Sequence, residues 1–462
     1  MITSTDWLLL LLIVFVSSFI GALVGISVIL WSTHNKKEAQ DVLDLVEYKE
    51  KPSEEKHDKN EDEAPIVKFV NKMLHDAIKM GASDLHFEPY EEFYRVRFRI
   101  HGVLRVVANP PISISRKLAA RIKVMARLDV AEKRVPQDGY IKLKLPDNKA
   151  IDFLVSTCPT LSGEKVVIKS FCFDRLAVPL NIDKLGFEEE QKRLYLEALA
   201  NSEGLILIAG QHGSGRTTTL YTGISRFNKE GVNISSVSDL VEIKLPGINQ
   251  VEVNHWKTGL SSAVPLRAFL RQDTDIILVD EIYFDPKITR LAIRAANEGR
   301  LVISTLHWDM GYEAHAARPA LAFLLGMGLP PFEIANSVKL IITQQLCRRL
   351  CYRCKVEQEI PEAVLLAEGF KKEQIPELKL YGPSRGGCEE CAYSGYRGRI
   401  GLYQVMPISE QMKRLMMERK YADELVEQAH SEGIPNLRES GQKKVTDGIT
   451  SLEELNRVVH KD

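Results

Sequence analysis

The stretch Gly204-Leu-Ile-Leu-Ile-Ala-Gly-Gln-His-Gly-Ser-Gly-Arg-Thr-Thr-Thr219 constrains this chain more than any other. Its apolar run, Leu205 to Ala209, predicts a buried strand. A glycine-rich turn, Gly210 to Gly215, follows, and a Thr-rich segment then opens a helix. In such a strand–turn–helix the backbone N–H groups of the turn and of the helix N-terminus converge on a phosphate. The pattern G-x-x-x-x-G-K-[ST] is met at every position but one, because Arg216 stands where lysine is asked for. The candidate phosphate-binding residues are Gly210, Gln211, His212, Gly213, Ser214, Gly215, Arg216, Thr217 and Thr218, with the Thr217 hydroxyl placed for Mg²⁺. A plain glycine turn is the alternative, and the flanking strand and helix argue against it.

A chain of 462 residues has room for two or three domains and a large core. Its net charge of −1 argues against a protein that coats nucleic acid, so no nucleic-acid partner is expected. Among the seven cysteines, Cys158, Cys172 and Cys347 read as small core residues, which suits a reducing compartment better than a disulfide framework.

Residues Trp7 to Trp31 carry no charged side chain. About 20 apolar residues cross a bilayer, so a transmembrane anchor is expected over 1–33. A cleaved signal peptide would want a positive start and a shorter apolar core, whereas the N-terminus offers only Asp6. Lys36 and Lys37 follow directly, which places the rest of the chain in the cytoplasm. Residues 34–63 are dense in Lys, Glu and Asp and read as a tether.

Helical periodicity begins at Ala64, with Ile66, Phe69, Val70, Met73, Leu74, Ala77 and Ile78 at spacings of three and four, and Gly81 ends it. Tyr94 to Ile100 alternates apolar and basic residues, so it is a strand with Arg95, Arg97 and Arg99 on one face. That face is either solvated or turned towards an anion. A helix near Ser115–Leu128 and strands near Tyr140–Leu145, Ile151–Thr157 and Lys165–Ser170 complete a small α+β domain over 64–180. Residues 181–186 read as a linker. Alternating strands and helices over 187–345 then imply a RecA-like parallel sheet.

Two further strands end in chemistry. Asp275-Ile-Ile-Leu-Val-Asp-Glu281 has the general shape of a Walker B strand, with Asp280 near Mg²⁺ or its water shell and Glu281 near an attacking water. Leu301-Val-Ile-Ser-Thr-Leu-His307 ends in a histidine that could donate to a terminal phosphate, or be a structural histidine. In the last region, 346–462, Cys351-Tyr-Arg-Cys354 and Cys388-Glu-Glu-Cys391 form two Cys-x-x-Cys knuckles separated by a helical insert. Four thiolates so spaced predict a closed, structural Zn²⁺ site, Cys351, Cys354, Cys388 and Cys391.

From Ala64 onward these segments together resemble the secretion and pilus-assembly ATPases of the type II secretion/type IV pilus superfamily. Ala82-Ser-Asp-Leu-His-Phe-Glu-Pro, Arg97-Phe-Arg-Ile-His-Gly-Val-Leu, Arg134-Val-Pro-Gln-Asp-Gly and Ser162-Gly-Glu-Lys-Val-Val-Ile-Lys look like the signatures of the family's N-terminal domain. Leu245-Pro-Gly-Ile-Asn-Gln-Val-Glu-Val-Asn, Leu270-Arg-Gln-Asp-Thr-Asp-Ile-Ile and Ser304-Thr-Leu-His match its motor domain. The resemblance implies a P-loop NTPase fold, ATP, Mg²⁺ and Zn²⁺ as cofactors, and a homo- or hetero-hexameric ring. It also implies work beside an inner-membrane platform and cytoplasmic-ring proteins. It makes Arg95, Arg97 and Arg134 candidate phosphate-facing groups.

The departures cluster. Besides Arg216, the family's Glu-Asp-Pro reads Ser238-Asp239-Leu240, its Gly-Glu-Ile-Arg-Asp reads Asp280-Glu281-Ile282-Tyr283-Phe284-Asp285, and its histidine motif continues into Trp308-Asp309-Met310. An apolar anchor stands in place of a soluble recruitment domain. Two readings stay open: an ATP-binding, membrane-anchored motor subunit, or a hydrolysis-deficient relative with a structural or regulatory role in such a ring. A nucleic-acid translocase, the third RecA-like option, is disfavoured by the zinc element and the near-neutral charge.

Overall fold

A computed structural model describes residues 63–144, 150–170, 180–253, 261–282, 285–307 and 317–460. The expected membrane anchor and tether, Cys172, Tyr283-Phe284 and Trp308-Asp309-Met310 lie outside the described residues. Among those described, no helix is long and apolar enough to cross a membrane. By its internal contacts the chain divides into a small unit, residues 1–68 with 142–152, and a large one, 69–141 with 153–462. Of the small unit, the described residues are the opening of the first helix and the strand ends on either side of 145–149. The features below belong to the large unit unless an element runs into the small one.

Helix α1 (Glu63–Met80) buries Val70, Met73, Leu74 and Ala77 on the stripe that the periodicity predicts, and Gly81, at φ 67°, turns the chain away. Strands β1 (Ala82–Pro89), β2 (Tyr94–Ile100), β3 (Val103–Ala108), β4 (Gln137–Lys144), β5 (Ala150–Thr160) and β6 (Gly163–Ser170) form one sheet in the order β3-β2-β1-β6-β5-β4. Helix α2 (Ser115–Met125) interrupts them in sequence. In β2 the alternation works as read: Tyr94, Val96, Phe98 and Ile100 are buried, and the three arginines share the other face.

After α3 (Glu189–Leu199) comes the second sheet, built from β7 (Gly204–Gly210), β8 (Ile234–Ser238), β9 (Asn249–Glu252), β10 (Ile276–Val279), β11 (Leu301–His307), β12 (Val338–Leu350) and β13 (Tyr396–Pro407). Their order is β13-β12-β7-β11-β10-β8-β9. β12, β7, β11, β10, β8 and β9 run parallel, and β13 is antiparallel to β12. A parallel sheet needs cover on both faces, and the alternation along β7 supplies it. Leu205, Leu207 and Ala209 join a core under α5 (Ala263–Phe269), α6 (Pro286–Asn297), α7 (Ala317–Gly326) and α8 (Pro331–Ser337). Ile206 and Ile208 face α3 and α4 (Arg216–Ile224). Helix α6 starts where it must: Asp285 caps it by accepting from Lys287 N at 2.8 Å, and Pro286 takes the first position.

Two features depart from the sequence-based expectation. The stretch read as a linker, 181–186, buries Ile182 and Leu185, and the Leu185 carbonyl accepts from Gly401 N at 3.2 Å. The last region contributes β13 to the main sheet as well as helices. Helix α9 (Glu362–Ala367) lies between the knuckles, and α10 (Glu410–Met417), α11 (Ala422–Ser431), α12 (Leu437–Thr446) and α13 (Leu452–Val458) follow β13. The two sheets touch where Gly398 N donates to His101 Nε2 at 3.3 Å. Burial, with Arg399, Arg105, Arg348 and Arg397 nearby, pushes that histidine down to about 4, so it is a neutral acceptor at neutral pH.

Candidate functional site

The carboxyl ends of parallel strands are where α/β folds gather polar side chains, and four elements meet there. β7 delivers the P-loop turn. Gly210 has no room for a side chain: a Cβ would lie 2.5 Å from Ser214 Oγ and 2.6 Å from the Gln344 carbonyl. Gly215, at φ 91°, is the left-handed residue that opens α4. Gln344 of β12 fixes the turn by donating to the Ser214 carbonyl at 2.8 Å, and Gln345 Nε2 lies 3.3 Å from Gln211 Oε1. Thr217 and Thr218 are half-buried in the first turn of α4. Ser214 Oγ and Thr219 Oγ1 are buried with no hydrogen-bond partner among the described residues. Positive-φ glycines, a helix N-terminus and unspent buried donors suit a phosphate cradle.

Next to the turn, β10 ends at Val279 and presents Asp280 and Glu281. Asp280 Oδ1 accepts from Thr305 Oγ1 at 2.6 Å, and the same hydroxyl accepts from Glu281 N at 2.8 Å. The Thr305 carbonyl takes Ile282 N at 3.0 Å. Thr305, which the sequence reading did not single out, thus clasps three consecutive residues and supports Glu281 at φ 52°, an uncommon conformation for a side-chain-bearing residue. Burial pushes the Asp280 carboxyl up; the Thr305 hydrogen bond and Arg216 oppose that push, and Glu281 adds to it. A divalent cation is the partner that would hold such a carboxylate ionised. With Thr217 across β11 on the neighbouring P-loop helix, the residues fit Mg²⁺.

Arg216 is turned towards Glu281. It is 8% exposed, and its Nη2 donates to Glu281 Oε1 at 3.2 Å. His307 ends β11 opposite Gly210 in register, and its ring meets His212 edge-on with centroids 6.2 Å apart. Burial, then Lys169, Arg216 and His307, lower the His212 pKa.

The arginine strand is paired with carboxylates. Asp84, His86 and Glu88 of β1 stand opposite Arg99, Arg97 and Arg95. Glu88 is buried and accepts from Arg95 at 2.9 Å and from Arg97 at 2.7 and 2.8 Å, with Lys165 at 3.3 Å. Arg99 lies 3.5 Å from Asp84, and Arg134, 88% exposed, is held by Glu132 at 2.7 Å. Lys169 on this face makes no carboxylate pair among the described residues, and its Nζ lies 3.4 Å from His212 Nε2 on the P-loop turn. It escaped the sequence reading because nothing local separates it from the other basic residues.

Burial works against ionising Glu88, but hydrogen bonds from Arg97 and Arg95 outweigh it and hold the carboxyl down to about 2. A depressed carboxylate contributes stability above its ordinary value and loses it as pH falls towards the folded one. Thermal melts should therefore lose stability between about pH 5 and 2, with a shallower slope in Glu88→Gln. An unchanged slope would contradict the assignment.

The cysteine knuckles close the end of the β12–β13 pair. All four Sγ atoms lie within 4.8 Å of one another, with Cys351–Cys388 at 3.7 Å, Cys354–Cys391 at 3.8 Å and Cys388–Cys391 at 3.7 Å. A tetrahedral zinc with bonds near 2.3 Å sets sulfurs about 3.8 Å apart, so the donor set fits Zn²⁺. Cys391 Sγ also accepts from Cys388 N and Gly395 N, each at 3.2 Å.

A family model described as type II/IV secretion system protein matches residues 59–457. The type IV pilus assembly ATPase PilB of Pseudomonas aeruginosa is 50% identical over 409 residues, spanning 88% of this chain and 70% of that protein. The type II secretion system ATPase E of Vibrio cholerae is 39% identical over 422 residues, spanning 91% and 80%. In fold, the chain is similar to the pilus retraction motor PilT with bound ADP, at TM-score 0.56 and 20% identity over 85% of this chain and 97% of that one. The Legionella pneumophila ATPase DotB aligns at TM-score 0.57 and 15% identity, over 88% and 97%.

Proposed function

The chain belongs to the type II/IV secretion system protein family, and from that premise we propose that it is an ATP-binding motor subunit of a pilus-assembly or protein-secretion machine. The observation that carries this reading is the convergence of the P-loop turn, Asp280, Glu281 and His307 at one edge of a parallel sheet. The relatives' names as pilus-assembly and secretion ATPases support it.

In this reading Gly210 to Thr218 cradle the phosphates of ATP, and Thr217 and Asp280 hold Mg²⁺. The metal would neutralise charge on the phosphate oxygens. Glu281 orients the attacking water, and His307 and Lys169 face the terminal phosphate. Arg95, Arg97 and Arg134 reach it only in an arrangement that frees them from Glu88 and Glu132. The four cysteines hold a structural Zn²⁺. Residues 64–180, 187–345 and 346–462 act as the working parts of one subunit in a homo- or hetero-hexamer. Trp7 to Trp31 tethers it to the inner membrane, beside the platform and cytoplasmic-ring proteins of the machine.

Equilibrium binding of ATP and ADP to the full chain, with and without Mg²⁺, tests this. Lys169→Ala should weaken ATP on the order of tenfold more than ADP, as expected for one charge-assisted contact to the terminal phosphate. No binding of either nucleotide would sink the reading.

One observation favours a second reading. The Arg216–Glu281 ion pair occupies both the P-loop's cation and the water-orienting carboxylate. A subunit that kept this pair with nucleotide bound would be a structural or regulatory member of its ring. Binding without turnover by the unaltered chain would select it.

A further inference from the structure

We propose that Arg216 is a positioning residue for Glu281, holding that carboxylate until a nucleotide phosphate takes the guanidinium away, so that occupancy of the cradle itself releases the water-orienting group. This rests on the reading above that the P-loop binds a nucleoside phosphate.

The geometry has three parts. First, Glu281 is placed by the backbone and not by chance: Thr305 takes its N–H at 2.8 Å, takes Ile282 N at 3.0 Å, and supports φ 52° between them. Second, Arg216 Nη2 claims the carboxylate so placed, at 3.2 Å. Third, Arg216 Nη1 is buried and has no hydrogen-bond partner among the described residues. A guanidinium has five donors in a planar fork. Here one arm is engaged by a carboxylate and the other is unspent beside a turn whose glycines and buried hydroxyl suit an anion. A phosphate seated in the cradle would give that unspent donor its partner.

A lysine ammonium would offer its three donors from one nitrogen, so both anions would have to meet at a single atom, whereas the guanidinium fork can hold them at two. The exchange is one of ion-pair partners and involves no covalent step: carboxylate leaves the guanidinium, phosphate replaces it, and Glu281 keeps its charge. The neighbouring charges limit what else could hold Glu281. Asp280 repels it and is itself tied to Thr305, and Lys169 is engaged at His212.

The contact competes with nucleotide, so removing it should tighten binding. Affinities of ADP and of a non-hydrolysable ATP analogue would be measured on the full chain, without Mg²⁺, for the unaltered protein, Glu281→Gln, Arg216→Met and the double variant. Glu281→Gln should bind on the order of tenfold tighter, and that gain should vanish in the Arg216→Met background. An equal gain in both backgrounds would show simple charge repulsion and overturn the inference, as would unchanged or weaker binding by Glu281→Gln. Where loss of Arg216 removes binding altogether, Thr305→Val decides. It loosens Glu281 without removing its charge, so tighter binding supports the contact, and unchanged or weaker binding overturns it. No binding by either the unaltered chain or Glu281→Gln overturns the nucleotide reading and this inference with it, whereas equal binding by both overturns this inference alone.

Discussion

Glu281→Gln is expected to lower ATP turnover on the order of 10²-fold or more, the usual contribution of a positioned acid–base group, while nucleotide binding is kept or strengthened. The carboxamide fills the same space but gives up the charge that pairs with Arg216, and it cannot take a proton from water or carry the charge that orients it. Asp280 is a poor substitute, because its carboxyl is buried and its Oδ1 is committed to Thr305. Loss of turnover without loss of binding is the pattern of a group needed in the transition state and not in the ground state. Turnover that survives the change would remove Glu281 from the mechanism. Turnover that falls together with affinity would make it a binding residue only.

The second large effect is expected at the knuckles. The purified chain should carry about one zinc per molecule, and Cys388→Ser or Cys391→Ser should remove it and lower the melting temperature on the order of 10 °C. The size follows from what the metal would pin. Cys351 N donates to the Gly395 carbonyl at 2.9 Å and Leu350 N to the Ile449 carbonyl at 2.8 Å, so the site joins the ends of β12 and β13 to the C-terminal helices. Beneath it lies a separate small core, with Leu365, Phe370, Leu380, Leu402, Leu437, Leu452 and Leu455. Without the metal, four thiols at these separations lose the bond that orders them. Full zinc content after substitution, or a metal-free chain of unchanged stability, would refute the assignment.

What could be read from the sequence was what local spacing encodes. The strand–turn–helix around Gly210, the apolar runs of β10 and β11, the alternation of β2 and the two cysteine pairs are each set within a few residues, and the structure has them where they were expected. Relations between distant segments were not legible. Nothing near Arg216 announces that its partner is Glu281, and nothing in Ser162–Lys169 says that its last residue, rather than Arg95 or Arg97, approaches the P-loop. Nor does anything beside Arg95 and Arg97 announce the buried Glu88 that collects both, because it lies on another strand. β13 was passed over for a related reason: its run of buried residues reads as strand or helix until β12 is known to lie beside it.

β12 is also the longest strand of the sheet, and it has two neighbours of different kinds. At its middle, Gln344 holds the Ser214 carbonyl of the phosphate-binding turn; at its end, Leu350 leads directly into Cys351. Gln344 and Cys351 are seven steps apart along extended chain, about 23 Å at the usual rise. Over that length β13 braces β12 from one side, with an irregularity between Arg348 and Leu350, while the pairing with β7 ends just before it at Thr343. Such a strand is stiff in tension and cannot slip by a fraction of a residue. A displacement of the P-loop turn therefore arrives at the knuckles as a displacement, not as a loosening. The cysteine element is then the far end of a strut whose near part holds the phosphate-binding turn.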